Sequence, residues 1–268
     1  MRVLRDDVAL GYDEAGRGDP PMLLVHGWGT DRTLFQPLFD HARRSRRVVS
    51  VDLRGFGESD SPERAYTIEG YSDDLSFIAA ELGLERPVVV GHSMGGMIAL
   101  DFAARHPAEL SAAVVLEAMV VAPESLLAGL RPMLEGVRSA GYREYVARLM
   151  SHLAGPHFDP AERARLASLV ASCPQHVLVS ALEGIIAFDS IAAARAVARP
   201  LLYVGTSTRY TDATRFRELC PQLVTGTLVG CGHYFPLEVP EQLAPMIDRF
   251  IETSVPHFGA SAPSGAGG

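Results

Sequence analysis

The sequence predicts an α/β protein in which a mostly parallel sheet is flanked by helices. Short apolar runs typical of buried strands, such as 22–25 and 87–90, alternate with stretches whose apolar residues recur at helical spacing, such as 67–82. Strands without a polar face are characteristic of parallel sheets that helices cover on both sides. With 268 residues the chain is long enough to bury a substantial core of this kind.

The predicted elements follow one another in strand–helix order up to Glu117. A hairpin of strands near 3–4 and 8–13 comes first, followed by strands at 22–25, 46–51, 87–90 and 112–116 and helices at 67–82 and 96–105. From about 123 to 198 the chain is nearly all helical. The last elements are a strand at 200–205, a helix near 212–219, a strand at 223–229 and a helix at 239–251.

This order predicts two core segments, 1–121 and 199–256, separated by a helical cap at 122–198. In open α/β sheets the ligand lies at the carboxyl edge of the strands, so we expect the cap to lie over that edge. The remaining residues, 257–268, are rich in Gly, Ala, Ser and Pro and are predicted to form a disordered tail.

Composition and charge are those of a soluble globular protein. Hydrophobic residues make up 47% of the chain and charged residues 21%, and the formal net charge is −8. An acidic balance of this kind favours neither nucleic acid nor a membrane surface as a partner. We therefore expect a small-molecule ligand, and a homodimer stays open as an alternative to the monomer.

The cysteines and the first residues bear on the compartment. Cys173, Cys220 and Cys231 are scattered and lack C-x-x-C spacing, so they predict neither a disulfide framework nor a metal site. Residues 1–7 have no apolar core of a secretory signal, and no run approaches membrane-spanning length. We expect a cytoplasmic protein that needs no metal or cofactor.

The motif Gly91-His92-Ser93-Met94-Gly95 lies between a predicted strand and a predicted helix. A sharp strand–turn–helix connection lifts a serine hydroxyl off the strand end and points a helix N-terminus at the group it attacks. A serine hydroxyl needs a base near neutral pH, and His233, in the Gly-rich loop after the last strand, is the predicted base. His26 is predicted to brace its own loop instead.

Acyl transfer also needs two backbone N–H donors for the developing negative oxygen. Met94 follows the predicted nucleophile at the start of a helix, so its N–H group is one predicted donor. The glycine-containing loop 26–29 follows a neighbouring strand, and the N–H group of Trp28 in this loop is the other.

Taken together, these motifs resemble the α/β-hydrolase superfamily over residues 8–251. The matching stretches are 26–29, 52–59, 91–96 and 230–233. The resemblance implies an eight-stranded, mostly parallel sheet with a helical cap inserted between strands six and seven. We expect Asp52 and Arg54 to organise the loop beneath the site rather than to take part in catalysis.

The third member of the predicted triad departs from the common pattern. Many members of the superfamily carry an Asp shortly after strand seven, whereas here Gly205 is followed by 206–209, which contain no carboxylate. Glu117 ends the predicted sixth strand, and a hydrogen bond to His233 would satisfy this carboxylate and fix the imidazole tautomer. Asp212 stays open as the alternative acid, although helix capping explains it more simply.

Placement of the acid after strand six is similar to that in zearalenone-type lactonases. The matching pieces are 116–117, 204–208 and 233–236, while the serine motif is of the common esterase type, so the substrate is not carried over. The stretch 116–123 also resembles that of cofactor-independent heteroaromatic dioxygenases, which place their acid after strand six.

We expect a serine hydrolase that cleaves a carboxylic ester or lactone of a mainly apolar small molecule through an acyl-enzyme on Ser93. A ring dioxygenase with His233 as base and a non-catalytic ligand receptor are the alternatives. Apolar candidates for substrate contact in or near the cap are Met119, Leu130, Met133, Leu134, Tyr142, Met150, Phe158, Ile186 and Phe188. From these we take Met119, Leu134, Tyr142, Phe158, Ile186 and Phe188 as the predicted substrate-binding residues.

Overall fold

A single eight-stranded sheet runs through the chain in a computed structural model that describes residues 1–207 and 210–255. Its strands are β1 (Arg2–Arg5), β2 (Val8–Ala15), β3 (Met22–Val25), β4 (Val48–Val51), β5 (Val88–His92), β6 (Ala112–Leu116), β7 (Leu201–Gly205) and β8 (Leu223–Thr227). The predicted tail, 257–268, lies outside the described residues.

Eleven α-helices connect and cover the strands among the residues described. They are α1 (Gln36–Ala42), α2 (Ile68–Glu81), α3 (Met94–Arg105), α4 (Glu124–Arg138), α5 (Tyr142–Leu153), α6 (Pro160–Ser172), α7 (Gln175–Ala187), α8 (Ser190–Ala196), α9 (Ala213–Leu219), α10 (Phe235–Glu238) and α11 (Pro240–Ser254). A 3₁₀ turn at Arg32–Phe35 precedes α1.

The strand order is β1-β2-β4-β3-β5-β6-β7-β8, and only β2 runs against its neighbours. Val25 at the end of β3 pairs with Gly91 near the end of β5, and Leu116 pairs with Val204. The carboxyl ends of the central strands therefore lie along one edge. Since β4 and β5 flank β3 on opposite sides, the crevice expected of such a sheet opens at this edge. The predicted eight-stranded, mostly parallel sheet is confirmed.

Every residue of the strands from β3 to β7 is buried, because helices pack on both faces of the sheet. Helix α1 contacts α11, whereas α2, α3, α8 and α9 contact one another in succession. These are the two helical layers that strands without a polar face require.

The helices between β6 and β7 divide into two groups. Helix α8 contacts α3 and α9 and so belongs to a helical layer of the core. Helices α4 to α7 contact one another, and we restrict the term cap to them. Within the part of the chain that is described, no single helix has the length and apolar composition to cross a membrane; the α6–α7 pair, bent by 97°, passes that test only when taken together.

The first turn of α3 presses directly on β3. A Cβ atom at Gly95 would lie 2.2 Å from the Val25 carbonyl oxygen and 2.4 Å from that of His26. A Cβ atom at Gly91 would lie 1.9 Å from the Gly95 carbonyl oxygen. Any side chain at these two positions would force backbone apart, and this explains why the sequence places glycine at both.

The substitution Gly95→Ala should therefore lower the free energy of unfolding by about 3 kcal/mol, because the new methyl group overlaps backbone that cannot move aside. Gly129 in α4 provides the matched control, since a Cβ atom there meets nothing within 4 Å. Gly129→Ala should raise the free energy of unfolding by up to about 1 kcal/mol. Urea unfolding measures both, and equal effects of the two substitutions would contradict the packing described.

Candidate active site

Ser93 lies between the end of β5 and the start of α3 with φ of +55° and ψ of −117°. This region is unfavourable for a residue with a side chain, so neighbouring contacts must hold it. The Ser93 N–H group donates to the Leu116 carbonyl at 2.8 Å, and the Ser93 carbonyl accepts from Gly96 and Met97. The strained turn leaves the Ser93 side chain in the wall of a cavity at the carboxyl edge of the sheet.

The loop 26–29 packs against Ser93. A Cβ atom at Gly27 would lie 3.1 Å from Cβ of Ser93. His26 is fully buried and braces this loop: its Nε2 accepts from the Leu53 N–H group at 2.9 Å, so Nδ1 carries the proton and donates to the Gly27 carbonyl at 2.8 Å. Burial lowers the pKa of His26, which keeps the ring neutral.

Two backbone N–H groups beside Ser93 have no acceptor among the described residues, those of Trp28 and Met94. Met94 is the first residue of α3 and so lacks a helical acceptor. The indole of Trp28 is fixed separately, because its Nε1 donates to the Leu178 carbonyl at 3.0 Å. The structure thus brings both predicted oxyanion donors to the nucleophile's turn with their N–H groups unused.

His233 also lies in the wall of this cavity. Its N–H group donates to the Leu153 carbonyl at 2.8 Å, and His92 Nε2 donates to its carbonyl at 2.7 Å. The Tyr210 ring stacks on the imidazole, with centroids 4.9 Å apart and planes 17° apart. Burial, with a smaller contribution from His92, lowers the pKa of His233 well below its usual value of 6.5. The imidazole is therefore neutral and able to accept a proton near neutral pH.

Glu117 follows β6 directly, has a φ of +46° and is only 1% exposed. Its Oε1 accepts a hydrogen bond of 2.8 Å from the Thr206 hydroxyl. Burial raises the pKa of Glu117 to about 7, and the side-chain and backbone hydrogen bonds from Thr206 act against that rise. Thr206 is the residue that follows β7, where the sequence lacks the common Asp, and it supports the carboxylate of the neighbouring strand instead.

The predicted hydrogen bond between Glu117 and His233 is not formed. Oε2 of Glu117 and Nδ1 of His233 are both buried and have no hydrogen-bond partner among the residues described. One physical reason is that Oε1 of Glu117 faces the hydroxyl of Thr206. A neutral imidazole also lacks the positive charge that would attract the carboxylate more strongly. An unpaired buried polar atom costs about 1–3 kcal/mol, so both atoms favour a partner.

Asp212, the alternative acid, caps helix α9. Its Oδ1 accepts from the N–H groups of Thr214 and Arg215, each at 3.0 Å. Its own N–H group donates to the Val121 carbonyl at 2.8 Å. These contacts are those of an N-cap residue, and Asp212 is not among the residues that line the cavity at Ser93.

Asp52 and Arg54 hold the loop beneath the site. The fully buried carboxylate of Asp52 accepts from the N–H groups of Arg32 and Glu58, each at 2.8 Å, and pairs with the Arg32 guanidinium. The Arg54 guanidinium pairs with Asp74 at 3.0 Å. Neither Asp52 nor Arg54 lines the cavity, so both act on the loop's conformation.

Glu238 is a site residue that the sequence reasoning missed. Its Oε2 accepts from the N–H groups of Gly155 at 3.1 Å and Gly232 at 2.9 Å, and its Oε1 accepts from Tyr234 at 3.1 Å. One carboxylate thereby ties both sides of His233 to the cap at the end of α5. The available signal was a lone carboxylate in the short apolar helix α10, where an acidic side chain needs a partner.

The cavity at Ser93 has a volume of about 300 Å³ and lies between the core and the cap. Its lining residues are Trp28, Ser93, Met119, Leu126, Gly129, Leu130, Pro132, Met133, Tyr145, Leu149, Met150, Leu153, Leu182, Ile185, Tyr210 and His233. No charged side chain is among these described residues. The lining therefore favours a mainly apolar, uncharged ligand.

Five of the six predicted substrate-binding residues lie outside this lining, and only Met119 belongs to it. Tyr142 is buried and donates to the Cys173 carbonyl at 3.3 Å, and Phe158 stacks on Tyr234. Leu134 is buried in the core cluster. The other two, Ile186 and Phe188, line a second, smaller cavity.

The described residues hold no group of three or more His, Cys, Asp or Glu side chains arranged to bind a metal ion. Cys173, Cys220 and Cys231 are free thiols.

Replacing Thr206 with Val should raise the pKa of Glu117 further above 7. The substitution removes the hydroxyl that donates to Oε1, and a hydrogen bond to a charged group contributes about 1.5–3 kcal/mol in favour of the ionised form. Thr206→Ser is the control, because it retains the donor. A ¹³C-carboxyl NMR titration of Glu117 measures the change, and the same pKa in the valine variant and the parent protein would contradict the assigned role.

Comparison with known proteins places the chain among relatives of the same architecture. A family model described as alpha/beta hydrolase fold matches residues 20–240. The 2-(acetamidomethylene)succinate hydrolase of Mesorhizobium japonicum is 27% identical over 263 residues, which cover 91% of this chain and 92% of that protein.

Two solved structures are similar over nearly the whole chain. A thermophilic esterase from Thermogutta terrifontis superposes with a TM-score of 0.84 at 25% identity and covers 95% of this chain and 99% of its own. The enol-lactonase from Burkholderia xenovorans LB400 superposes with a TM-score of 0.85 at 20% identity, covers 94% and 100%, and at that identity shows the fold alone. The chain belongs to the alpha/beta hydrolase fold family.

Proposed function

We propose that the protein is a serine hydrolase that cleaves a carboxylic ester or lactone of an uncharged, mainly apolar small molecule. One observation carries this proposal: Ser93, Trp28 and the neutral imidazole of His233 line one mainly apolar cavity, and the N–H groups of Trp28 and of Met94, which follows Ser93, have no acceptor among the described residues. Membership in a hydrolase family supports the same reading.

In the first half-reaction, the Ser93 hydroxyl oxygen attacks the substrate carbonyl carbon while the imidazole of His233 takes the hydroxyl proton. The carbonyl oxygen becomes an oxyanion, which the N–H groups of Trp28 and Met94 stabilise. When the tetrahedral intermediate collapses, the bond to the alkoxy oxygen breaks and His233 returns the proton to that oxygen. The products are an alcohol and an acyl group bound to Ser93; from a lactone the alcohol stays attached to the acyl group.

In the second half-reaction, water attacks the acyl carbon and His233 takes a proton from it. The second tetrahedral intermediate uses the same two N–H groups. Its collapse breaks the bond to Ser93 and the proton returns from His233 to the serine oxygen. A carboxylic acid is released and the enzyme is restored.

Glu117 is the proposed acid of the triad. Proton transfer from Ser93 to Nε2 turns the imidazole into an imidazolium, whose Nδ1–H group becomes a stronger donor and favours an anionic acceptor. Oε2 of Glu117 is buried and unpaired, and so is Nδ1 of His233. We propose that these two atoms pair once the imidazole is charged. Catalytic hydrogen bonds that are long or absent without substrate commonly form in the reacting complex.

The apolar lining limits which relatives' substrates apply here. The Mesorhizobium japonicum relative is named for a succinate derivative, which is a dicarboxylate. Two carboxylates in a cavity whose described lining has no cationic side chain would lose their solvation without compensation. We therefore propose neutral esters or lactones as the substrates of this chain.

A fluorophosphonate probe tests the nucleophile. It should label the protein at Ser93 and abolish hydrolysis of p-nitrophenyl butyrate, since the probe phosphonylates an activated serine. Ser93→Ala should lose labelling and reduce turnover by at least about a thousandfold. Ser151→Ala, which alters a cap serine bonded to its own helix at 2.9 Å, is the control and should keep both.

Full turnover in Ser93→Ala would overturn the acyl-enzyme mechanism. An unlabelled protein that consumes oxygen with a hydroxylated heteroaromatic compound, in the absence of metal and flavin, would establish the dioxygenase alternative instead. Tight binding of esters without product would establish a receptor.

A further inference from the structure

A second cavity of about 130 Å³ adjoins the one at Ser93. The two cavities share three lining side chains, those of Met119, Leu130 and Ile185. The others that line the second cavity are Met97, Val120, Val121, Ala122, Leu127, Ile186, Phe188, Ser190 and Ile191. We call this second cavity the side chamber.

The side chamber is lined mainly by apolar side chains. The side-chain hydroxyl in the described lining, that of Ser190, donates a hydrogen bond to the Val120 carbonyl at 2.6 Å. No charged side chain is among the described residues of this lining. A space of this kind holds hydrocarbon more readily than water.

The outer rim of the side chamber is exposed. Leu127, Ile186 and Ile191 are 48%, 37% and 39% exposed, although each is a large apolar side chain. Single exposed apolar residues are ordinary, but three around one opening form a patch of the kind that marks binding sites. The side chamber thus has one end at the surface and the other at the cavity of Ser93.

Among the side chains that separate the two cavities, that of Met119 can move aside. Met119 is half-buried and lies two residues after Glu117 on the loop that follows β6. Methionine is unbranched and has three rotatable bonds, so its side chain can move aside at low cost. Leu130 and Ile185 complete the wall from helices α4 and α7, which contact each other.

We propose that the side chamber is a subsite for an alkyl chain of the substrate, entered from the cavity of Ser93 past Met119. The inference rests on the proposed function and narrows its substrate class to neutral esters or lactones that carry an unbranched alkyl chain. An alkyl chain is the occupant that fits, because the side chamber has less than half the volume of the main cavity and the side chains described in its lining are mainly apolar and uncharged.

Chain length should then control specificity. Each methylene that moves from water into the chamber contributes about fourfold to kcat/KM if it is buried in the transition state. The ratio of kcat/KM for p-nitrophenyl octanoate to that for p-nitrophenyl acetate is the quantity to measure. It should favour octanoate in the parent protein by at least about a hundredfold.

Ala122→Phe tests the assignment, because Ala122 lines only the side chamber and a phenyl ring would fill it. The octanoate-to-acetate ratio should fall by at least about tenfold. Ala128→Phe is the matched control: Ala128 is exposed on α4, lines neither cavity and should leave the ratio unchanged. An unchanged ratio in Ala122→Phe would overturn the proposal.

Calorimetric titration of 1-octanol into Ser93→Ala separates this inference from the proposed function, because it requires no turnover. Octanol should bind at least about tenfold more weakly when Ala122→Phe is added. If no ester reacts but Ala122→Phe still weakens octanol binding, the proposed function is wrong and the alkyl subsite is supported. Equal octanol affinity with and without Ala122→Phe would show that the side chamber is not an alkyl subsite. A concentration-dependent dimer that Ala122→Phe dissociates would also overturn the proposal, because a second copy of the chain would then cover the exposed rim of the side chamber.

Discussion

The close approach of α3 to β3 is the contact on which the active site depends. Without a side chain at Gly95, the first turn of α3 can rest on the carbonyl oxygens of Val25 and His26. Ser93 is consequently held at positive φ between strand and helix, and Met94 begins the helix with its N–H group unused. The same approach brings Gly27 against Ser93 and so places the second oxyanion donor. The proposed nucleophile and oxyanion donors are thus fixed by backbone packing.

The protonation states of the proposed base, His233, and the proposed acid, Glu117, depend on burial rather than on backbone packing. Burial lowers the pKa of His233 and raises that of Glu117 to about 7, so near neutral pH the imidazole is neutral and the carboxyl group is only partly ionised. In the proposed mechanism, hydrogen bonds from Thr206 stabilise the Glu117 carboxylate until a proton reaches His233. The residue that stands where a carboxylate is common in this superfamily therefore supports the carboxylate of a neighbouring strand. The Tyr210 ring stacks on the imidazole of His233, and Glu238 accepts hydrogen bonds from the residues on both sides of His233. These contacts hold the imidazole in place.

The sequence predicted a mostly parallel sheet because its buried strands have no polar face, and the resemblance to α/β hydrolases supplied the number of strands. Strand ends were less accurate: the strand predicted at 46–51 is Val48–Val51, because Arg46 and Arg47 turn to carboxylates on α11 and β2. The lining of the cavity could not be predicted, since α4 and α5 are apolar towards both the site and their neighbours. Helical spacing does not tell those two faces apart. Nor does the sequence show which side chain is the hydrogen-bond partner of Glu117. Thr206 and His233 are both distant from Glu117 along the chain, and only the fold shows that Thr206 donates to it.

The role of Glu117 is the central claim, and one comparison tests it directly: kcat for p-nitrophenyl butyrate in Glu117→Gln and in Asp212→Asn, both measured at pH 8. Glutamine keeps the shape of the side chain but removes the charge that stabilises the imidazolium. We expect kcat to fall by about a thousandfold or more in Glu117→Gln and to stay within about threefold of the parent value in Asp212→Asn. Near-normal kcat in Glu117→Gln with a large loss in Asp212→Asn would contradict the account and assign the acid to the loop after β7.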